Sequence, residues 1–324
     1  MQICYTIIMK NPFIYSNDNK RYHTFNYYLK NTYHEKVFKV PLDGGFTCPN
    51  RDGSKATGGC TFCSALGSGD SIIHHEDIMT QYEEGVKLLR KKWPHGKGMA
   101  YFQAYTNTYG PLEKLKELFE PFVQREDVVA VCIATRADCL NDENIAYLDS
   151  LTSYKDIWVE VGLQTIHDET AQRINRAHDF ACFLKAIDKL SKTNCKICVH
   201  IINGLPYETK DMMIETIQTI ASLPIHAVKI HMLHLLKNTV MANEYEKKPF
   251  HILTLEEYVE IVCEQLTYLP KEIIIERLTG DGIASELIAP LWTIKKVCVL
   301  NEIDKYMARN NIYQGMNNSK KICD

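Results

Sequence analysis

Gly45-Phe46-Thr47-Cys48-Pro49-Asn50-Arg51-Asp52-Gly53, continued by Gly58-Gly59-Cys60-Thr61-Phe62-Cys63, is the stretch on which the reading of this chain turns. It follows a β-branched run, Lys36 to Leu42, so three thiols sit on one glycine-rich loop after a strand. A structural zinc site takes four ligands, and no nearby Cys or His adds a fourth at finger-like spacing, although His74 and His75 keep that alternative open. A [4Fe-4S] cluster usually takes four cysteines, so three leave one iron with an open coordination position.

Outward from this loop, β-branched runs alternate with amphipathic stretches. Strands are expected at Lys36 to Leu42, Met99 to Ala104, Val128 to Thr135, Ile157 to Leu163, Lys196 to Ile202, Ala227 to Met232 and Ile273 to Arg277. Helices are expected at Ile78 to Lys92, Leu112 to Val123, Glu143 to Ser150, Phe180 to Ser191, Lys210 to Leu223 and Leu255 to Leu269. Consecutive βα units imply a parallel sheet, either closed toward a barrel or doubly wound. Polar residues that follow the strand ends in succession, Gln103, Arg136, Gln164, Asn203, His234 and Thr279, favour a barrel, whose strands all open on one face.

A hydrophobic share of 45% with 24% charged residues excludes a disordered chain, and 324 residues suffice for one α/β barrel with short appendages. The twelve cysteines are irregularly spaced, and the apolar run Ile3 to Met9 is too short for a signal segment, so the expected compartment is a reducing cytosol. No stretch approaches the roughly 20 apolar residues that cross a bilayer. The net charge of −3 is unevenly spread, +4 over residues 1–60 and −7 over the rest. Residues 291–324 are again basic, so a phosphate-binding patch competes with ordinary solvated surface.

The aromatic between the last two cysteines, Cys60-Thr61-Phe62-Cys63, resembles the hallmark of radical S-adenosylmethionine (SAM) enzymes. The wide gap between Cys48 and Cys60 is similar to the branch that holds the elongator catalytic subunit and the bacterial YhcC/YtqA proteins. The resemblance to the YhcC/YtqA group extends from Asn11 onward. It is carried by Lys20-Arg21-Tyr22-His23, Gly67-Ser68-Gly69-Asp70, Tyr105-Thr106-Asn107-Thr108-Tyr109, Gly204-Leu205-Pro206, Arg277-Leu278-Thr279-Gly280-Asp281 and Gln314-Gly315, beside the cysteine motif. It implies an α/β fold, a radical SAM partial (βα)6 TIM-like barrel, over residues 36–280. An N-terminal arm at 1–35 and a C-terminal helical extension at 281–324 flank it. Residues 1–8 read as an upstream extension of the reading frame.

The resemblance also implies cofactors and sites. Cys48, Cys60 and Cys63 would hold a [4Fe-4S] cluster, and SAM would chelate its open iron, so that one-electron reduction yields a 5′-deoxyadenosyl radical. Gln103 and Asn107 mark the segment expected to receive the SAM amino group, or else are strand-end caps. Glu160 and Gln164 share one strand face and are expected near the ribose, since an acid in an apolar strand wants a partner or a ligand. Arg176 is the expected carboxylate contact, with Arg173 as competitor. Ile202 and Gly204 are expected at the adenine, where glycine lets backbone approach. Lys20, Arg21 and His23 are expected beside the cluster loop as an anionic-substrate arm. Arg136, His231, His234 and Arg277 are substrate candidates by strand-end position. Cys195 and Cys198 read as core residues rather than a redox pair, and Asp281 as a possible turn cap.

The reaction implied by the resemblance is modification of wobble uridine in tRNA. For the YtqA branch it is conversion of 5-carboxymethylaminomethyl(-2-thio)uridine to 5-aminomethyl(-2-thio)uridine, with a flavodoxin- or ferredoxin-class protein as electron donor. A radical on the methylene between amine and carboxylate is stabilised from both sides, and its oxidation to an imine followed by hydrolysis leaves the aminomethyl group. A radical SAM methyltransferase is the rival enzyme. A methylthiotransferase would bring a further cysteine trio, whereas only Cys4 precedes Cys48. A redox-sensing iron-sulfur module is the non-enzymatic rival.

Overall fold

The computed structural model describes residues 11–69, 72–73, 75, 77–280, 282 and 284–318. The upstream segment 1–8, Asp70, His74 and the turn residue Asp281 lie outside these. The strands are β1 (Val37–Leu42), β2 (Lys97–Phe102), β3 (Val128–Arg136), β4 (Asp156–Gln164), β5 (Lys196–Asn203), β6 (Ala227–Met232), β7 (Leu235–Leu236), β8 (Ile274–Arg277) and β9 (Leu287–Ala289). The α-helices are α1 (Phe25–Tyr33), α2 (Ile78–Arg90), α3 (Leu112–Val123), α4 (Asp142–Leu151), α5 (Asp168–Arg173), α6 (Phe180–Leu190), α7 (Lys210–Ala221), α8 (Val240–Lys247), α9 (Leu255–Tyr268) and α10 (Lys296–Arg309).

Seven strands form one parallel sheet in the order β1-β2-β3-β4-β5-β6-β8, while β7 and β9 pair antiparallel beside it. Six βα units followed by a seventh strand thus make a curled half-barrel, the partial barrel that the sequence resemblance implies. Period-2 alternation explains the two cores. On the helix-covered side Val40, Phe102, Val131, Val159, Val199 and Val228 pack against residues such as Phe119, Phe122 and Phe183. On the concave side Val37, Met99, Ala130, Trp158, Ala227 and Ile274 meet Leu29 of α1, with Phe25, Tyr28 and Tyr33 against them. Phe25 and Tyr28 both meet the Trp158 ring edge-on, at 5.6 and 5.7 Å between centroids. The aromatic helix α1 therefore plugs the barrel at the N-terminal ends of its strands. Thr24 starts it by accepting the amide of Tyr27.

The N-terminal arm belongs to this lower end, which corrects its expected place beside the cysteine loop. The His23 carbonyl accepts the amide of Ile275 at the start of β8, and the His23 ring lies 3.2 Å from the Glu272 carbonyl and stacks on Tyr15. Arg21 is buried and donates to Asn311, while Lys20 pairs with Asp304 of α10. These cations neutralise and cap the C-terminal segment instead of facing solvent.

Gln314 fastens arm and tail together. Its buried amide accepts from the His23 amide at 2.8 Å and donates to the carbonyls of Pro270 (2.7 Å) and Ile273 (2.8 Å). Gln314→Leu keeps the volume but strands three buried backbone groups. We expect it to lower the unfolding free energy by at least about 2 kcal/mol. A urea transition at the parent midpoint would show that water replaces those bonds.

Candidate active site

At the C-terminal ends of the strands lies a cavity of about 710 Å³, within the range of roughly 300–1,000 Å³ typical of ligand sites. Cys48, Cys60 and Cys63 line it together with Gln103, Arg136, Glu160, Gln164, Arg176, Ile202, His231, His234 and Arg277. Asn107, Gly204, Lys20, Arg21 and His23 do not line it. Asn107 is wholly buried and donates to the carbonyls of Phe102, Ala104 and Ala134, so it braces the ends of β2 and β3. Gly204 borders a small separate crevice with Leu253 and Trp292.

The cysteine loop is tied down by guanidinium groups and backbone bonds. Arg51 donates to the carbonyls of Ser64 and Ala65, and Tyr105 reaches the Ala65 carbonyl at 2.7 Å. Tyr105 itself has a left-handed φ of 57°, an uncommon conformation for a bulky residue. Gln103 donates to the Ser68 carbonyl at 2.7 Å, so its amide clamps the loop to the end of β2. Asn50 Nδ2 points at Cys60 Sγ from 3.6 Å and Arg176 Nη1 from 3.8 Å. The Cys63 thiol, with the charges of Arg176 and Arg136, holds the Cys60 thiol well below its ordinary range despite burial. That environment favours a thiolate, the ligand form.

Arg176 also donates through Nη2 to the Gly162 carbonyl, and its Nε is buried without a partner. A side chain at Gly162 would sit 3.0 Å from Arg176 Nη2 and 2.9 Å from Gln164 Nε2, so glycine makes room for both. Arg136 is bound to Asp138 at 2.9 Å and donates to the Arg176 carbonyl at 2.8 Å. Its partners on this chain make it a brace for Arg176.

Glu160 has a different surrounding from the one expected. Its carboxylate pairs with Lys39 at 2.5 Å and with Lys229, and lies 3.0 Å from His200 Nε2. Lys39 also reaches Glu276 at 2.6 Å. Against burial, which would raise it, Lys229 and Lys39 hold the Glu160 carboxyl well below the usual range. Both oxygens are thus engaged by the protein, and Glu160 forms the cavity floor. Lys39, Lys229 and Glu276 were not singled out by sequence reading; a charge amid apolar strand residues was the signal each offered.

Beyond the floor, His231 lies 5.8 Å from His200 between ring centroids. Burial, then Arg277, keeps the His231 imidazole neutral. His234 is pressed between Gly280 and Gly282, where added side chains would come within 2.4 and 3.0 Å of its ring. Burial, then Lys296, lowers its pKa to about 4. Lys296, from the start of α10, also lines the cavity.

Among the described residues no three His, Cys, Asp or Glu side chains are grouped to hold a single metal ion. The three thiols instead border one roomy cavity, with buried N–H donors aimed at Cys60 and an unpartnered Arg176 Nε. This donor set fits a multi-iron cluster with a small anionic ligand beside it. Cys195 and Cys198 are buried three residues apart, one in the helix-side core and the other in the concave core, so they form no pair. No helix among the described residues is long and apolar enough to cross a membrane.

Residues 51–220 match the model of the Radical SAM superfamily, and residues 225–309 that of the Radical_SAM C-terminal domain. The chain is 50% identical over 310 residues to the uncharacterized protein YtqA of Bacillus subtilis, covering 95% of this chain and 96% of that one. It is 35% identical over 288 residues to protein YhcC of Escherichia coli, covering 88% and 91%. A tRNA uridine(34) acetyltransferase of Methanocaldococcus infernus is 24% identical over 204 residues, 62% of this chain and 37% of that one. The structure of M. infernus Elp3 lacking its N-terminus superposes with a TM-score of 0.63 at 18% identity, covering 86% and 64%.

Half-barrel, cysteine loop and family matches together define a radical SAM enzyme, a class that uses a [4Fe-4S] cluster and S-adenosylmethionine. Within that class the chain belongs to the YtqA/YhcC family, related to Elp3-like radical SAM enzymes.

Two outcomes follow. After anaerobic reconstitution, Cys48→Ala, Cys60→Ala and Cys63→Ala are each expected to lose cluster iron and sulfide, whereas Cys195→Ala and Cys198→Ala keep them. Iron retained in Cys60→Ala but lost from Cys198→Ala would overturn the ligand assignment. His234, depressed to about 4 by burial and Lys296, titrates near 6.5 when unfolded. The unfolded chain therefore binds the extra proton first, so this stabilisation is complete above about pH 6.5 and drains as pH falls toward 4, about 3 kcal/mol in all. His234→Gln should flatten that acid limb in denaturation curves taken at several pH values, and an unchanged limb would refute the assignment.

Proposed function

We propose that this enzyme modifies the wobble uridine of tRNA, converting 5-carboxymethylaminomethyl(-2-thio)uridine to the 5-aminomethyl form. The observation that carries this reading is the cavity itself. Cysteine thiols border it, and Arg277, Lys296 and two neutral imidazoles line it with them. Its relation to a tRNA uridine(34) acetyltransferase supports an RNA substrate.

Cys48, Cys60 and Cys63 would hold the cluster, and Arg176 Nε would meet the carboxylate of S-adenosylmethionine. Gln103, Gln164 and Ile202 would border its remaining parts. Together the bound groups would supply a radical able to abstract hydrogen from carbon and, through the oxidised cluster, a sink for the second electron, so that S-adenosylmethionine serves as the net two-electron oxidant. The chain's own residues do the rest. Arg277 and Lys296 attract the substrate carboxylate, which places the adjacent methylene in the cavity. His231 stays uncharged and able to accept a proton released from the substrate amine. Water entering through the open mouth would hydrolyse the oxidised substituent and release its carboxylate-bearing fragment. In a reducing cytosol a flavodoxin- or ferredoxin-class protein would supply the electron.

The test uses reconstituted enzyme, S-adenosylmethionine, dithionite and tRNA bearing the carboxymethylaminomethyl group, with nucleosides followed by mass spectrometry. The aminomethyl nucleoside should accumulate with 5′-deoxyadenosine, and Arg277→Gln should raise the KM for this tRNA at least about tenfold, the loss of a charge-assisted contact. Deoxyadenosine formed while the nucleoside stays unchanged would sink this reaction. A methylated product would establish the rival transferase.

A further inference from the structure

Tyr207 lies in the turn between β5 and α7 with its side chain 53% exposed and its backbone in the left-handed region at φ 67°. A bulky residue held there without glycine is a local cost that points to a use for the ring. Two cations gather on it. The Arg173 guanidinium lies 4.9 Å from the ring centroid and the Lys248 ammonium 5.7 Å, both within cation–π range. Arg173 also donates to the Pro206 carbonyl at 3.2 Å, which fixes the turn that presents the ring. Among the described residues neither Arg173 nor Lys248 forms an ion pair. Arg173 also feels the buried carboxylate of Glu208, and the two cations make the surroundings of the exposed ring attractive to an anion.

The ring does not itself line the cavity; it lies in the turn that follows β5, five residues beyond cavity-lining Ile202. Phe250 packs near it, 6.3 Å between centroids, and Phe250 meets Tyr245 of α8 at 5.0 Å. Tyr245 and Phe250 rest on Ile174, Leu205, Leu233 and Met241, an apolar cluster that also receives Phe62 and Ile202 from the cavity wall. The Thr61 amide donates to the Ile174 carbonyl, and the Thr61 carbonyl accepts the Met241 amide, so the cysteine loop is bonded to the end of α5 and the start of α8.

We infer that Tyr207, with Arg173 and Lys248, is a stacking platform for an unpaired nucleobase flanking the one that enters the cavity, the two cations taking its phosphates. Unpaired RNA bases are commonly held on aromatic rings and guanidinium planes in this way. The inference rests on the RNA reading above and adds to it the place where the loop is gripped.

The probe is an anticodon stem-loop RNA with 2-aminopurine placed in turn at each loop position. The parent enzyme should quench the fluorescence at one position beside the wobble nucleotide. Tyr207→Asn removes the ring but tolerates the left-handed backbone. It should abolish that quench and weaken binding about ten- to a hundredfold, the range for one lost stack. Tyr207→Phe should retain both. Arg173→Ala combined with Lys248→Ala should lessen the salt dependence of binding by about one to two charges. If Tyr207→Asn matched the parent in affinity and quenching, the platform would be refuted and the RNA reading would stand. If the parent bound neither the stem-loop nor full-length tRNA, both would fall.

Discussion

The structure hangs on four charges buried in the concave side of the sheet. Lys39 of β1, Glu160 of β4, Lys229 of β6 and Glu276 of β8 meet there, with Lys229 also 3.2 Å from the Tyr101 hydroxyl of β2. In a flat sheet β1 and β8 would stand about 29 Å apart, six strand spacings. Their side chains instead touch, so the ion pairs act as spokes that only a curled sheet satisfies. Such pairs add little net stability, because desolvating them costs as much as they return. Removing one partner, however, leaves a buried charge unmatched and costs about 3–5 kcal/mol. The network therefore selects the curl more than it strengthens it. Below, α1 seals it with Phe25, whose ring lies 4.9 Å from the Lys39 ammonium. Above, His200 carries its hydrogen bonding up to the cavity floor.

Much of this was legible and some was not, for physical reasons. The strands read directly from β-branched runs because parallel strands buried on both faces are apolar throughout. The cysteine loop read directly because its chemistry is local. Glu160 announced itself as an acid that needed partners, but Lys39 and Lys229 lie 121 and 69 residues away in sequence. No local pattern pairs them, and the acid's expected contact with a ribose gave way to contacts with the protein. The helix α1 escaped because it packs with one buried leucine and half-buried aromatics beneath a barrel, without the long apolar stripe of a surface helix. Lys20, Arg21 and His23 form a recognisable run whose place was misjudged. Sequence proximity to the cysteine loop suggested one end of the barrel, and the strand β1 between them carries the chain to the other.

The cations of the mouth divide by the segments that supply them. Arg136 is committed to Asp138 and to the Arg176 carbonyl, and Arg176 in turn spends both terminal nitrogens on Gly162 and Cys60. This chain of guanidinium groups links the ends of β3 and β4 to the cysteine loop. It supplies the positive surroundings that burying thiolates demands. A second group, Arg277 and Lys296, comes from the end of β8 and the start of α10, and depresses the neighbouring imidazoles rather than a thiol. The two groups arise from segments more than a hundred residues apart, and docking of the C-terminal segment adds Lys296 to the cations already at the mouth. That docking is secured at the other end of the barrel by Gln314, Asn311 and Asp304, which bind the N-terminal arm. The Lys-Arg-Tyr-His run thus serves the site from a distance. It anchors the segment whose first helical residue, Lys296, faces the cavity.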